Sequence, residues 1–248
     1  MIKIEKTDVF GFEAAVRGMR NPLNSWNKSD SKPGCRLKKG RDNVNWERHK
    51  DGEITFCEDC NWVEPLCWQD AILGSRMEYF LGKNDLTLMQ KLSKAGNDHA
   101  KYLRMINVTV DVTAPLYWWK EYDTYKVGTV ANSCSTMHKI HDKKFTLDDF
   151  SCEYLSDSNV GLLLQIIDVL NYEREGFLGT KDKASWWQLI QLLPSSYNQK
   201  RTVQLNYQVL KNMYYARKNH KLVEWREFCK WCETLPCFKE ICMRCENE

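Results

Sequence analysis

Two groups of residues in this 248-residue chain have types and spacings suited to chemistry. The first lies in Thr113–His138, after the strand-like run TVDVT. Trp118 and Trp119 stand side by side, a Gly128-Thr129 turn follows, and then come Asn132, Ser133, Ser135 and Thr136. A strand and a helix leading into a loop of short hydroxyl and amide side chains present hydrogen-bonding groups to a ligand. The competing reading is a buried helix carrying two core tryptophans, followed by a solvated turn.

The second group is three Cys-x-x-Cys pairs among eleven cysteines: Cys57/Cys60, Cys229/Cys232 and Cys242/Cys245. Tetrahedral zinc needs two such pairs close together, and the last two pairs are near enough in sequence to supply Cys229, Cys232, Cys242 and Cys245. Cys35, Cys57, Cys60 and Cys67 offer a second set. Against metal, EWREFCKWCETL has a helical pattern in which cysteine serves as a small core residue. An odd cysteine count in a chain read as cytoplasmic does not form a disulfide framework.

The elements that must position these residues follow from periodicity. Residues 1–10 alternate as a strand, and Gly11–Arg20 carries Phe12, Ala15, Val16 and Met19 at helical spacing. Asn21–Gly52 is polar and rich in turn residues, long enough to read as a functional loop or an excursion. Residues 53–67 suggest a short hairpin. Helices are expected over Asn84–Ala95, Val160–Phe177, Ser185–Leu193, Lys200–Arg217 and Leu222–Leu235, another helical region starts at Thr146–Phe150, and a strand is expected over Ile106–Thr113. The order predicts an α+β fold with a small sheet and a helical majority, in one domain over 1–248. A polar, cysteine-bearing excursion at about 21–80 and a cysteine-rich tail at about 229–248 complete it.

Composition narrows the classes. A net charge of +3 creates no strong electrostatic demand for nucleic acid. The basic run Arg36–Lys50 is local, either a solvated loop or an anion contact. No apolar run approaches the ~18 residues of a membrane span, and no signal-peptide pattern opens the chain, so a cytoplasmic protein is expected.

Residues in two blocks resemble the flavin-dependent thymidylate synthases. That family carries a strand ending in Ala-Pro, a helix ending in Arg-His-Arg, and a loop Ser-x-Asn-Glu-x-Ser-x-Arg-Tyr. Here Ala114-Pro115 closes the strand, and Thr129, Asn132 and Ser135 match the loop's Ser, Asn and Ser with one insertion. The second block is Leu-Pro followed by Asn-x-Arg-x-Leu-x-Asn-x-x-x-x-Arg, matched by Leu193-Pro194 and by Asn206, Leu210, Asn212 and Arg217. His220 and Glu224 fit the family's trailing His-Ala-Gln-x-Glu run with one residue dropped. The resemblance spans roughly residues 80–235.

It implies a flavin-dependent thymidylate synthase-like fold, FAD as cofactor, dUMP or another pyrimidine nucleotide as ligand, and a homo-oligomer, a tetramer in the family. The family's methyltransferase chemistry uses methylenetetrahydrofolate, with flavin passing the hydride. Carried over by position, Asn132, Asn206 and Asn212 would contact flavin. Lys126, Thr129, Ser135 and Arg217 would contact the nucleotide.

The departures concern charge. Thr124, Tyr125 and Lys126 replace Arg-His-Arg, Ser133 replaces the loop glutamate, Met137 replaces its arginine, and Gln208 replaces the helix arginine. Met105 stands where the family has a flavin-facing histidine. Each lost charge-assisted bond to a phosphate removes roughly 1.5–3 kcal/mol. Conventional thymidylate synthesis is therefore not expected. The alternative is a non-catalytic descendant binding a nucleotide or a protein partner, for example a phage inhibitor of a host defence system.

Overall fold

The computed structural model describes residues 2–35 and 77–243. In chain order the elements are β1 (Lys3–Phe10), α1 (Phe12–Arg20), β2 (Lys32–Cys35), β3 (Met77–Phe80), α2 (Lys83–Lys94), β4 (Asn107–Pro115), α3 (Leu116–Tyr122), β5 (Val130–Ser133), α4 (Asp157–Thr180), α5 (Lys183–Leu192), β6 (Asn198–Asn206), α6 (Tyr207–Arg217), α7 (Val223–Cys232) and α8 (Phe238–Cys242). They divide into two compact units, residues 1–10 with 103–248, and residues 11–102.

The larger unit is built on a four-stranded antiparallel sheet in the order β1-β4-β6-β5. Alternation gives it two unlike faces. Val108, Val110, Val112 and Ala114 of β4 are buried, as are Val203 and Leu205 of β6, and Val108 pairs with Leu205 and Val110 with Val203. The opposite face is polar. There Asp111 takes an ion pair from Lys200 at 2.9 Å and a hydrogen bond from the Thr202 hydroxyl at 2.6 Å. Strand β1 carries one extra residue between Glu5 and Asp8, and Lys6 there has φ of 50°, which marks a β-bulge.

Against the apolar face sits an aromatic core. Trp118 and Trp119 are fully buried, and Trp118 packs on Trp225 at 4.8 Å and Phe228 at 5.7 Å between centroids, fixing α3 against α7. Both tryptophans therefore belong to the core, as the second reading of this segment had it. A separate cluster of Ile140, Phe145, Phe150, Leu163, Ile167, Leu170 and Leu189 joins α4 and α5 to the chain before them.

Two expectations are corrected. Lys200–Arg217 is not one helix: β6 runs to Asn206 and α6 begins at Tyr207. The hydroxyl-and-amide loop is partly strand, since Val130–Ser133 forms β5 on the edge of the sheet. Its four side chains are all exposed, so pairing with β6 through the backbone holds it in place.

The smaller unit is organised by reciprocal aspartates. Both oxygens of Asp30 accept backbone N–H groups at the start of α2, from Asn84 at 2.9 Å and Asp85 at 3.1 Å. Asp85 in turn receives Arg20 Nε at 2.6 Å, the Ser29 hydroxyl at 2.7 Å, the Ser31 hydroxyl at 2.5 Å and the Ser31 amide at 3.0 Å. Gly82 is obligatory here, because a Cβ would lie 2.2 Å from the Asp30 carboxylate. Helix α1 buries Phe12, Ala15, Val16 and Met19 as its periodicity predicts. The expected hairpin at 53–67, the basic run Arg36–Lys50 and Cys57, Cys60 and Cys67 lie outside the described residues.

Candidate functional site

In the larger unit, α3 starts where β4 ends at Pro115, and α6 starts where β6 ends at Asn206. The two strands are neighbours, so both helices leave from paired strands. Tyr117 and Glu121, four residues apart, share one face of α3, and Tyr125 just beyond it meets the same partners. Glu121 Oε2 receives Arg217 Nη1 at 2.9 Å and Trp225 Nε1 at 2.9 Å, and lies 3.5 Å from His220 Nε2. Arg217 Nε donates to the Tyr125 hydroxyl at 3.0 Å, and the guanidinium stacks 4.9 Å from the Trp225 ring. The Tyr117 hydroxyl donates to the largely buried Glu224 carboxylate. Burial and that neighbouring carboxylate push the Tyr117 phenol well above its ordinary range.

The turn after α3 runs the length of α6. At one end Tyr125 meets Arg217, the last residue of α6. At the other Gly128 lies against Asn206, at the start of α6. Gly128 has φ of 78°, and a Cβ there would come within 3.2 Å of both Asn206 Nδ2 and Val209 Cγ2, so both backbone and space demand glycine. Thr129 ties the turn back by donating to the Tyr125 carbonyl at 2.7 Å. Lys126 sits between these ends, exposed. Asn206 and Arg217, eleven residues apart, are therefore about 16 Å apart along the helix axis. They mark two ends of one surface, and the turn lies along it.

The other expected site residues fall as follows. Asn206 caps α6, its Oδ1 accepting from the Val209 amide at 3.1 Å. Asn212 is exposed on α6 and accepts from Gln208 Nε2 at 3.1 Å. Asn132 is exposed on β5, opposite Thr202. Ser135 folds its own loop, accepting from the amides of Met137 at 3.2 Å and His138 at 2.8 Å. Thr129, Asn206 and Arg217 thus join the turn and α6, whereas Asn132 sits on the edge strand and Ser135 in the loop after it.

Sequence reasoning missed Glu121, which neutralises Arg217, and Tyr117, which donates to Glu224. Their spacing on α3 was the available signal. It also missed the role of Trp225.

The zinc expectation gains no support. Cys229, Cys232 and Cys242 are buried, and Cys245 lies outside the described residues. Burial pushes the thiols of Cys229 and Cys242 up to about 12 and that of Cys232 well above its ordinary value, as for small core residues. Among the described residues no group of three or more His, Cys, Asp or Glu is placed to hold a metal. No helix among them is long and apolar enough to cross a membrane.

No family model matches the sequence, and no curated protein does. Solved structures do match. The chain is similar to the flavin-dependent thymidylate synthase ThyX of Helicobacter pylori complexed with FAD and dUMP, with a TM-score of 0.59 at 13% identity over 98% of this chain and 100% of that one. A second structure of that protein with FAD and dUMP gives 0.60 at 13% identity over 99% and 100%. The fold is that of the flavin-dependent thymidylate synthases. At this identity the similarity concerns architecture, and the charges of the site are this chain's own.

Proposed function

We propose that this chain is a divergent relative of the flavin-dependent thymidylate synthases that binds a pyrimidine nucleotide, with FAD as its cofactor, along the surface between the 123–129 turn and α6. The observation that carries this reading is the fold, matched over nearly the whole chain to a protein solved with FAD and dUMP. The residue types fit a flavin: Asn132 and Asn212 are exposed amides able to meet the edge of its ring system, and Asn206 at the start of the helix that carries Asn212 is a further amide donor. Bound flavin would supply hydride chemistry. The protein's own residues bind and orient. Lys126 and Arg217 supply positive charge for phosphate, with Thr129 and Ser135 as the neighbouring hydroxyls.

Arg217 differs from a ready phosphate contact, because Glu121 already neutralises it. A phosphate reaching that guanidinium must exchange with the Glu121 carboxylate. This pairing, with the missing Arg-His-Arg cations, favours binding over conventional thymidylate synthesis. It also favours the second reading, a non-catalytic nucleotide- or protein-binding descendant. Exposed Leu162, Val169 and Tyr172, at a spacing that places them along one side of α4, support an assembly of copies as in the family.

The test is the visible flavin absorption of the purified protein together with thermal denaturation in added FAD and dUMP. A ligand that binds only the native state raises apparent stability. A colourless protein whose melting temperature is unmoved by either compound would sink the proposal.

A further inference from the structure

The smaller unit contains a cavity of about 210 Å³ lined by Glu13, Val16, Arg17, Arg20, Trp26, Ser29, Ser31 and Tyr79. At roughly 30 Å³ per water, that is room for a ring-sized molecule. Its frame is fixed. Arg20 and Asp85 are 4% and 0% exposed, and Arg20 also donates to the carbonyls of Ser25 at 3.1 Å and Lys28 at 3.0 Å, so the 25–31 loop is held at both ends. The Ser29 and Ser31 hydroxyls are spent on Asp85. Burying a charged pair with so many hydrogen bonds is costly for a surface loop, and it yields a wall of fixed shape.

Two charges lining the cavity are left over. Glu13 and Arg17 lie one turn apart on α1, yet no ion pair joins them, and neither has a hydrogen-bond or ion-pair partner among the described residues. The remaining walls are apolar or aromatic. Val16 is buried, while Trp26 is 53% exposed with its indole N–H held by Asn21 Oδ1 at 2.8 Å. Tyr79 also lines it, its phenol raised by burial and by the nearby Asp85 and Glu13 carboxylates, so it stays neutral. A half-exposed tryptophan beside a carboxylate and a guanidinium that have no partner among the described residues is complementary to a dipolar aromatic molecule.

We propose that this cavity binds a small planar ring carrying an anionic group for Arg17 and an N–H donor for Glu13. Two sources share that chemistry, an aromatic amino acid and a base-bearing nucleotide. It shares no residue with the site proposed on α6.

Isothermal titration of the full chain with L-phenylalanine and with cytidine monophosphate distinguishes the sources, run on wild type, Arg17→Ala, Glu13→Gln and Arg217→Ala. The expected result is binding of one probe that weakens at least tenfold in Arg17→Ala, weakens in Glu13→Gln and is unchanged in Arg217→Ala. Arg17 and Glu13 are exposed, so these variants are expected to fold, and unchanged thermal denaturation confirms it. Absence of binding by both probes at millimolar concentration overturns the proposal, as does binding indifferent to Arg17→Ala. Binding lost only in Arg217→Ala assigns the probe to the α6 surface and equally overturns it here.

Discussion

Arg20–Asp85 and Arg217–Glu121 are the same chemical pair in opposite settings. Arg20 and Asp85 are 4% and 0% exposed, and Asp85 is surrounded by further hydroxyl and amide donors. Arg217 and Glu121 are 20% and 33% exposed, part-buried between α6 and α3. A buried pair, once made, cannot exchange partners without leaving a charge stranded in the interior. A part-exposed pair is screened, contributes little to stability and can trade one carboxylate for another anion. The first pair is a fastener of the smaller unit. The second is the pair that a phosphate of the proposed nucleotide would have to open.

The largest expected effect is at the fastener. Asp85→Ala strands the Arg20 charge and should cost about 3–5 kcal/mol in chemical denaturation; a loss under about 1 kcal/mol would erase the distinction between the pairs. Acid should act on the same group. Burial alone would raise the Asp85 carboxyl, but hydrogen bonds from Ser31, Ser29 and Arg20 outweigh it and hold its pKa below the ordinary value. A depressed folded-state pKa contributes stability that is present above the unfolded value of about 3.9 and is lost as pH falls through the folded one. Wild type should therefore lose stability below about pH 4 more steeply than Asp85→Ala, and parallel acid profiles would contradict this.

At the exchangeable pair, Glu121→Gln should change stability by less than about 1 kcal/mol, measured in the same denaturation series. A larger loss would make it a second fastener. The smallest effect concerns the core between them in sequence. The Tyr122 hydroxyl is buried with no hydrogen-bond partner among the described residues, and burial raises its pKa. Tyr122→Phe removes an unsatisfied group and should be neutral or stabilising by up to about 1 kcal/mol; a clear destabilisation would reveal a partner for that hydroxyl.

How much of this was legible in the sequence depends on the range of the interaction. Helix α1 was readable because Phe12, Ala15, Val16 and Met19 bury one face at local spacing. Strand β6 was misread as helix, although buried Val203 and Leu205 alternate with exposed Thr202 and Gln204, a period of two. Strand β5 has no apolar alternation, and only its backbone partner makes it a strand. Arg20 and Asp85 are 65 positions apart, so no local pattern could pair them. The α6 surface was half legible: Asn206 and Arg217 stood out by motif, while Glu121, 96 positions from Arg217, did not.

The account turns on Glu121 holding a place that a phosphate can take. Thermal denaturation of wild type and Glu121→Gln across a dUMP titration tests this most directly. The account predicts stabilisation of both, with the variant responding at a severalfold lower dUMP concentration. An equal or weaker response in the variant, or none in either, would contradict it.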